Sequence, residues 1–439
     1  MNKIAIIGAG YTGLSAATKL IRSGFEVDIF ESEKLAGGLA SGEKQHGFDW
    51  GIELFYHHWF LNEVSIIKLA KAHNLTKLIK ICSPNTSFYH NGEIIPFDQP
   101  HHVLMYPGLS IIDRFRLATK LATLKLTKNW QHYERYTAEE WLIENMGENV
   151  YEKMWKPMLI AKWSNYYDKV NMAWFWSRIY VRTKKLMYPK RGFQYFNNKI
   201  VESLKSSGVA FKFNTKINLI KKLANGSIEL LDNDNNKYTY SKILITSGPK
   251  IVKNLLNSSN SDFSKKLSEQ KSMGAICALF ILKKSFMKNT YWLNIPAKTK
   301  NFINNKIPFL VCINHTSMIS KKYYGGKTIV YCANYLSEDN SMLKLKDNEI
   351  INLYTEGLGQ ISTSFNKKNI AKVIISRTKY ASPIFFKNHS EKVPNFKTTI
   401  DNVFWASMSH VYPWDRGTNY ASDLSLIHIS EPTRLGSIS

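Results

Sequence analysis

Lys3 to Ile7 (KIAII) is a short apolar run closed by Gly8, and beyond the glycine turn Leu14, Ala17, Leu20 and Ile21 recur at helical spacing. Glu26 to Phe30 (EVDIF) then alternates as a strand does and ends at Glu31. The pattern predicts a strand, helix, strand unit of about thirty residues. From Tyr56 to Lys190 the chain is rich in aromatic and basic residues with helical periods, among them Thr137 to Met146 and Val170 to Arg182, which predicts an inserted, mainly helical region. A helix from Lys199 leads into a strand Val209 to Phe213, a hairpin turning at Asp232 to Asn236, and a strand Lys242 to Thr246 ending at Gly248 and Pro249. Ala275 to Leu282, Phe309 to Asn314, Thr328 to Ala333 and Lys372 to Ser376 are further strands, with a helix near Asn348 to Ile361, so a second sheet is implied.

At 439 residues the chain exceeds the usual reach of one hydrophobic core, and two domains are expected. Hydrophobic residues at 44% and charged residues at 21% give a globular balance. No apolar run reaches the ~18 residues of a membrane span, and a strand beginning at Lys3 leaves no room for a signal peptide. A cytoplasmic protein is expected. Cys82, Cys277, Cys312 and Cys332 lie far apart, mostly in apolar runs, and read as buried free thiols. With 59 Lys and Arg against 34 Asp and Glu, the net charge of +25 attracts anions. The basic residues are scattered without an Arg-rich arm, so no nucleic-acid partner is expected; an anionic cofactor or lipid surface is.

Gly8-Ala9-Gly10-Tyr11-Thr12-Gly13 fits G-x-G-x-x-G. Gly8 permits the tight turn out of the strand, Gly10 lets backbone approach a pyrophosphate, and Gly13 lets helix and strand pack closely. The helix start at Tyr11 and Thr12 offers free N–H groups to phosphate. Glu31, eighteen residues beyond Gly13 at the end of the next strand, stands where a carboxylate accepts both ribose hydroxyls. Gly37-Gly38 extends the phosphate-facing loop beyond what an NAD domain needs. On these residues the chain resembles the flavin-containing amine oxidase, protoporphyrinogen oxidase and phytoene desaturase superfamily, which implies FAD as cofactor and an α/β fold: a discontinuous Rossmann-type FAD-binding domain with an inserted α+β substrate domain. Leu35 and Leu39 depart from the arginines many members carry beside the glycine pair.

The resemblance extends along nearly the whole chain. Phe48-Asp49-Trp50-Gly51 resembles the family's D-x-G turn beside the flavin, which implies cofactor contacts at Asp49 and Gly51. Pro189 to Phe193 is similar to the return segment into the FAD domain, and Tyr380 to Phe385 to the strand crossing the substrate domain. Tyr412 to Tyr420 (YPWDRGTNY) resembles the segment preceding the last FAD-contacting helix, implying contacts at Thr418 and Asn419. The expected division is an FAD-binding domain of residues 1–55, 190–255 and 396–423, with residues 56–189 and 256–395 forming the helical and sheet parts of the substrate domain. Leu424 to Arg434 (LSLIHISEPTR) resembles a translated sequencing-library adapter, so residues 424–439 are set aside as a non-native tail; on that reading the closing helix is missing.

Glu53, His57 and His58 follow directly on the D-x-G turn, and the resemblance puts them near the flavin, where an acid or imidazole can move a proton. Loop and helix hydrogen bonding is the alternative role. No metal site is expected, because adjacent histidines such as His57 and His58 point apart. Ser110 to Lys128 reads as a basic amphipathic helix able to lie on an anionic membrane surface, or else to pack on its own domain. Trp155 to Tyr167 and Trp174 to Trp176 concentrate aromatics for a substrate wall or a helical core. Together these features read as a cytoplasmic enzyme, in part peripheral on the inner membrane face. It would oxidise or dehydrogenate a hydrophobic or amine-bearing small molecule, with flavin accepting hydride. The alternatives are a non-redox flavoenzyme resembling sugar-nucleotide mutases, and a non-catalytic dinucleotide-binding scaffold.

Overall fold

In the computed structural model, which describes residues 3–257, 261–287 and 289–428, the opening run forms β1 (Lys3–Ile7), helix α1 (Tyr11–Arg22) and β2 (Glu26–Phe30). Their apolar side chains are buried, Ala5, Ile6, Leu14, Ala17 and Ile29 completely. β1 pairs in parallel with β2 on one side and with strand Lys242–Ile245 on the other. Strands Ala210–Lys212 and Val403–Trp405 complete the two edges of this five-stranded parallel sheet. Tyr11 through Thr18 are all buried, because α1 is covered by the sheet on one side and by helix Thr418–His428 on the other.

A seven-stranded sheet forms the second layer, in the order Ile370–Pro383, Ser272–Leu282, Thr328–Leu336, Val311–Asn314, Trp292–Asn294, Thr86–His90 and Glu93–Pro96. Each expected strand of this half overlaps one of these, although the one expected from Phe309 begins only at Val311. The last two strands come from the region read as mainly helical. Their turn is Asn91-Gly92, both at positive φ (48° and 95°), the conformation a two-residue hairpin loop demands. The rest of that region holds helices Val64–Ala72, Ile111–Leu126, Ala138–Met146, Lys156–Trp163 and Met172–Tyr180, together with a small three-stranded sheet of Trp59–Phe60, Leu186–Pro189 and Ile79–Cys82 that the helical reading did not foresee. Thr137 caps helix Ala138–Met146 by accepting from Glu140 N–H at 3.1 Å. All four cysteines are buried free thiols.

The expectation of a missing closing helix is corrected: a helix spans Thr418–His428. Residues 418–423 of it lie ahead of the adapter-like stretch and are held by side-chain bonds. Trp59 Nε1 donates to Thr418 Oγ1 at 2.7 Å, Ser65 Oγ to Asp423 Oδ1 at 2.8 Å, and Leu424 is buried. Residues 429–439 of the tail lie outside the described residues.

The two layers meet at Glu53, which is 1% exposed. Its Oε1 accepts from Phe193 N–H at 2.9 Å and from Tyr188 Oη–H at 2.8 Å. Phe193 opens helix Phe193–Ser206, whose N-cap, Gly192, brings no side chain, so the Glu53 carboxyl, 140 residues away in sequence, supplies the missing cap. Gly192 sits at φ +88°, and a Cβ there would stand 2.8 Å from Gly51 O, so this turn admits only glycine. Burial raises the Glu53 carboxyl to about 7 despite these bonds. The native state therefore holds a proton that the unfolded chain releases near its ordinary carboxyl pKa. Glu53's contribution to stability is complete below that value and is lost as pH rises through about 7. Glu53→Gln is expected to flatten the fall in stability between about pH 4.5 and 7, a difference on the order of 3 kcal/mol, read from denaturant melts across that range.

Candidate cofactor cleft and its inner end

A cleft of about 340 Å³ runs along the carboxyl ends of the parallel strands. Gly8, Gly10, Tyr11, Thr12, Glu31, Gly37, Gly38 and Thr418, all singled out from sequence, line it. Gly8 is at φ +110°, and a Cβ would meet Thr246 Oγ1 at 2.4 Å. Gly13 lies beneath the cleft, where a Cβ would stand 2.0 Å from Gly8 O; its lack of a side chain is what lets α1 approach β1. Around Gly10 a Cβ would meet nothing within 4 Å, so the space above it is open. Gly37 N–H donates to Ala9 O at 2.9 Å, which folds the Gly37-Gly38 loop over the first turn.

Three helices aim their N-termini at this cleft: α1 after Gly10, Pro249–Leu256 after Gly248, and Thr418–His428 after Gly417. None has an acidic residue in its first turn, so their partial positive ends are left for a ligand. Glu31 stands at one end, held by Ala9 N–H at 2.7 Å and Glu33 N–H at 3.0 Å, beside Thr215 and Lys216. Positive helix ends in the middle and a fixed carboxylate at one end are the complement of a pyrophosphate joined to a ribose. The residues present thus fit FAD, with Glu31 holding the ribose and the Gly8–Gly13 turn the phosphates.

Several sequence candidates fall elsewhere. The Asp49 side chain is exposed outside the cleft; its N–H donates to Tyr323 O at 2.9 Å while Trp50 stacks on the Tyr323 ring, so the turn is anchored to the second layer. Gly51 N–H donates to Arg191 O and supports the return turn. Asn419 Oδ1 accepts from Ile66 N–H at 3.1 Å, capping helix Val64–Ala72, which has no side-chain cap of its own. Glu53 is sealed in its hydrogen bonds below the cleft. His58 Nδ1 lies 3.0 Å from Tyr291 Oη among Phe60, Tyr291 and Trp292, and burial pushes it down to about 3.

His57 alone of the proton-transfer candidates lines the cleft. Its Nδ1 is 2.7 Å from Phe55 O, a pure acceptor, so Nδ1 carries the proton and Nε2 is left as an acceptor. Burial lowers its pKa to about 4, keeping it neutral at pH 7. Sequence reasoning missed Arg416, Tyr380, Ser407 and Met408 at the inner end. Arg416 stands two residues before Thr418 in the YPWDRGTNY segment, where its charge in an otherwise aromatic stretch was the available signal. Gly10→Ala is expected to fold with an unchanged Tm yet lose roughly tenfold or more in FAD affinity, measured by fluorescence on titrating apoprotein, because only the ligand's space is filled. Gly13→Ala should lower Tm itself, since the clash is with Gly8 backbone. Unaltered FAD affinity in Gly10→Ala would remove the pyrophosphate from this turn.

Among known proteins, zeta-carotene desaturase of Solanum lycopersicum is 28% identical over 182 residues, 36% of this chain and 31% of that enzyme. The 4,4'-diapophytoene desaturase of Staphylococcus aureus (strain COL) is 50% identical over 46 residues, 10% of this chain and 9% of the enzyme. The matched stretches thus take in about a third or less of these curated relatives. In fold, the chain is similar to cyclohexylamine oxidase from Brevibacterium oxydans IH-35A, with a TM-score of 0.70 at 12% identity over 96% of each chain. It is also similar to reduced UDP-galactopyranose mutase, with a TM-score of 0.75 at 15% identity, covering 96% of this chain and 93% of that one. Residues 11–413 match the family described as flavin-containing amine oxidoreductases, so the residues that build the dinucleotide cleft and the match along the chain agree: this protein belongs to that family.

Proposed function

We propose that this protein is an FAD-dependent oxidoreductase that oxidises or dehydrogenates a largely apolar small molecule entering at the inner end of the cleft. The observation that carries this reading is the convergence of three helix N-termini with no acid in the first turn, and of Glu31, on one cleft that His57 and Arg416 also line. Bound there, FAD supplies a two-electron acceptor. The chain's own residues do the rest. Tyr11, Gly10 and Gly38 position the cofactor, and Tyr380 packs against Gly248 to wall the inner end. His57 offers a neutral Nε2 as the proton acceptor for the substrate. Trp163 and Trp174 of the adjoining helices and Tyr335 of strand Thr328–Leu336 belong to the neighbouring aromatic core. The amine-bearing alternative is less well supported, because Asp415, the acid nearest this wall, is already bound to Arg178 at 2.8 Å.

The expected result of mixing FAD-loaded protein with its substrate without oxygen is bleaching of the flavin absorbance. His57→Phe should retain FAD and slow bleaching roughly 100-fold, within the range that general bases contribute. Turnover only after prior reduction, with no acceptor consumed, would instead support a reaction without net redox change; bound flavin that no metabolite reduces would support a scaffold.

A finer part of the reading concerns the surface. Helix Ile111–Leu126 is anchored by Leu117 and Leu124, while Ile111, Ile112 and Phe115 are 86%, 66% and 70% exposed beside the exposed Met105. Arg114 and Arg116 flank them. An apolar tip ringed by cations on a chain of net charge +25 suits an anionic lipid surface, and we infer peripheral docking there. No helix among the described residues is long and apolar enough to cross a membrane. Liposome flotation should recover the protein with anionic vesicles and not with neutral ones, and replacing Ile111, Ile112 and Phe115 by Ser should abolish recovery; equal flotation with both lipids would refute electrostatic docking.

A further inference from the structure

Beyond the inner end of the cleft, Lys162 and Arg416 converge on one ring. Lys162 Nζ lies 3.6 Å and the Arg416 guanidinium carbon 4.7 Å from the centroid of Tyr335. Lys162 comes from helix Lys156–Trp163, Arg416 from the segment before helix Thr418–His428, and Tyr335 from strand Thr328–Leu336, so three separate elements bring the charges together. Both cations lie deep in the protein yet keep part of their surface open. Among the described residues neither forms an ion pair. The buried Arg416 Nε has no hydrogen-bond partner, though Tyr56 hydrogen-bonds the Arg416 side chain, and Lys162 has a 3.4 Å contact to Ser382 Oγ besides its ring contacts.

The surrounding charges deepen the imbalance. Arg178 adds a third cation, and the acid of this neighbourhood is Asp415. Arg178 and the indole N–H of Trp174 occupy the two oxygens of Asp415, at 2.8 Å and 3.3 Å. Burial above all, with Arg416 and Arg178 behind it, holds the Lys162 ammonium well below its ordinary range, against the opposing pull of Asp415. Two cations against one aromatic ring repel one another at low dielectric, and Asp415, the acid that acts on Lys162, is shared with Arg178; an added anion would relieve the excess of positive charge. Arg416 also lines the cofactor cleft, so such an anion would lie against the reacting end of the site.

We propose that Lys162 and Arg416, over Tyr335, form an anion-recognition subsite, and that the substrate carries a carboxylate or phosphate at one end of an apolar body. This inference rests on the proposed oxidoreductase reading of the adjoining cleft, which Arg416 lines, and selects an acidic substrate class over an amine.

The test uses FAD-loaded full-length protein and four ligands of one chain length: decyl phosphate, decanoate, decanol and decylamine, titrated by calorimetry and by the shift of the flavin spectrum. One or both anions should bind roughly tenfold or more tighter than decanol, with decylamine weakest, and the preferred anion tells phosphate from carboxylate. Lys162→Met should erase the anion preference while leaving FAD affinity unaltered, and Lys162→Arg should restore it. Equal binding of anions and decanol, tightest binding of decylamine, or an anion preference that survives in Lys162→Met would overturn the subsite. Should Lys162→Met fail to fold, the ligand series on the unsubstituted protein still decides. Flavin content is read separately from the visible absorbance: protein that takes up no FAD refutes the oxidoreductase reading, whereas protein that is yellow but indifferent to ligand charge refutes the subsite alone.

Discussion

The structure depends on one close approach, that of Gly13 to the Gly8 carbonyl. A methyl group at Gly13 would lie 2.0 Å from that oxygen, so only a bare Cα allows α1 to seat against β1. With α1 seated, its first N–H groups open into the cleft, Ala9 N–H reaches Glu31, and Ala9 O receives the Gly37 loop. The floor of the cleft and the acid at its end follow from that contact. Each later element, the second helix N-terminus at Gly248 and the third at Gly417, is arranged around a floor already defined.

Charge is sorted along the cleft. The carboxylate end, at Glu31, suits hydroxyl donors; the middle has only helix ends; the inner end is cationic and aromatic. Glu53 and His58, both titratable and both close in sequence to His57, are kept out of this gradient by burial and hydrogen bonding. Proximity in sequence to the D-x-G turn brought three candidates into view, and the fold separates them by a few residues into one cleft residue, one helix cap and one packing histidine.

Much of the nucleotide half was legible because its chemistry needs particular residues at short spacing: the glycines, Glu31 and the strand periods are local signals. The substrate half was less so. The hairpin at Asn91-Gly92 carried a turn signal inside a region whose overall character is helical, and the regional reading overrode it. The roles of Asp49 and Asn419 were carried over from the resemblance, but the structure turns one side chain to solvent and gives the other to Ile66 N–H. Arg416 and Lys162 lie 254 residues apart in sequence and meet only through a strand neither belongs to, a relation no local pattern encodes.

The bond from Trp59 to Thr418 joins residues 359 apart, and Asn419 caps a helix that begins at residue 64. An early segment thus waits for a late one: during synthesis the Rossmann core can form its first strands and helix long before the third helix terminus exists. Loop closure over such a span comes late in folding. The cleft is therefore complete only once residues near 418 have been made, so its third helix terminus is the last of its parts to be supplied.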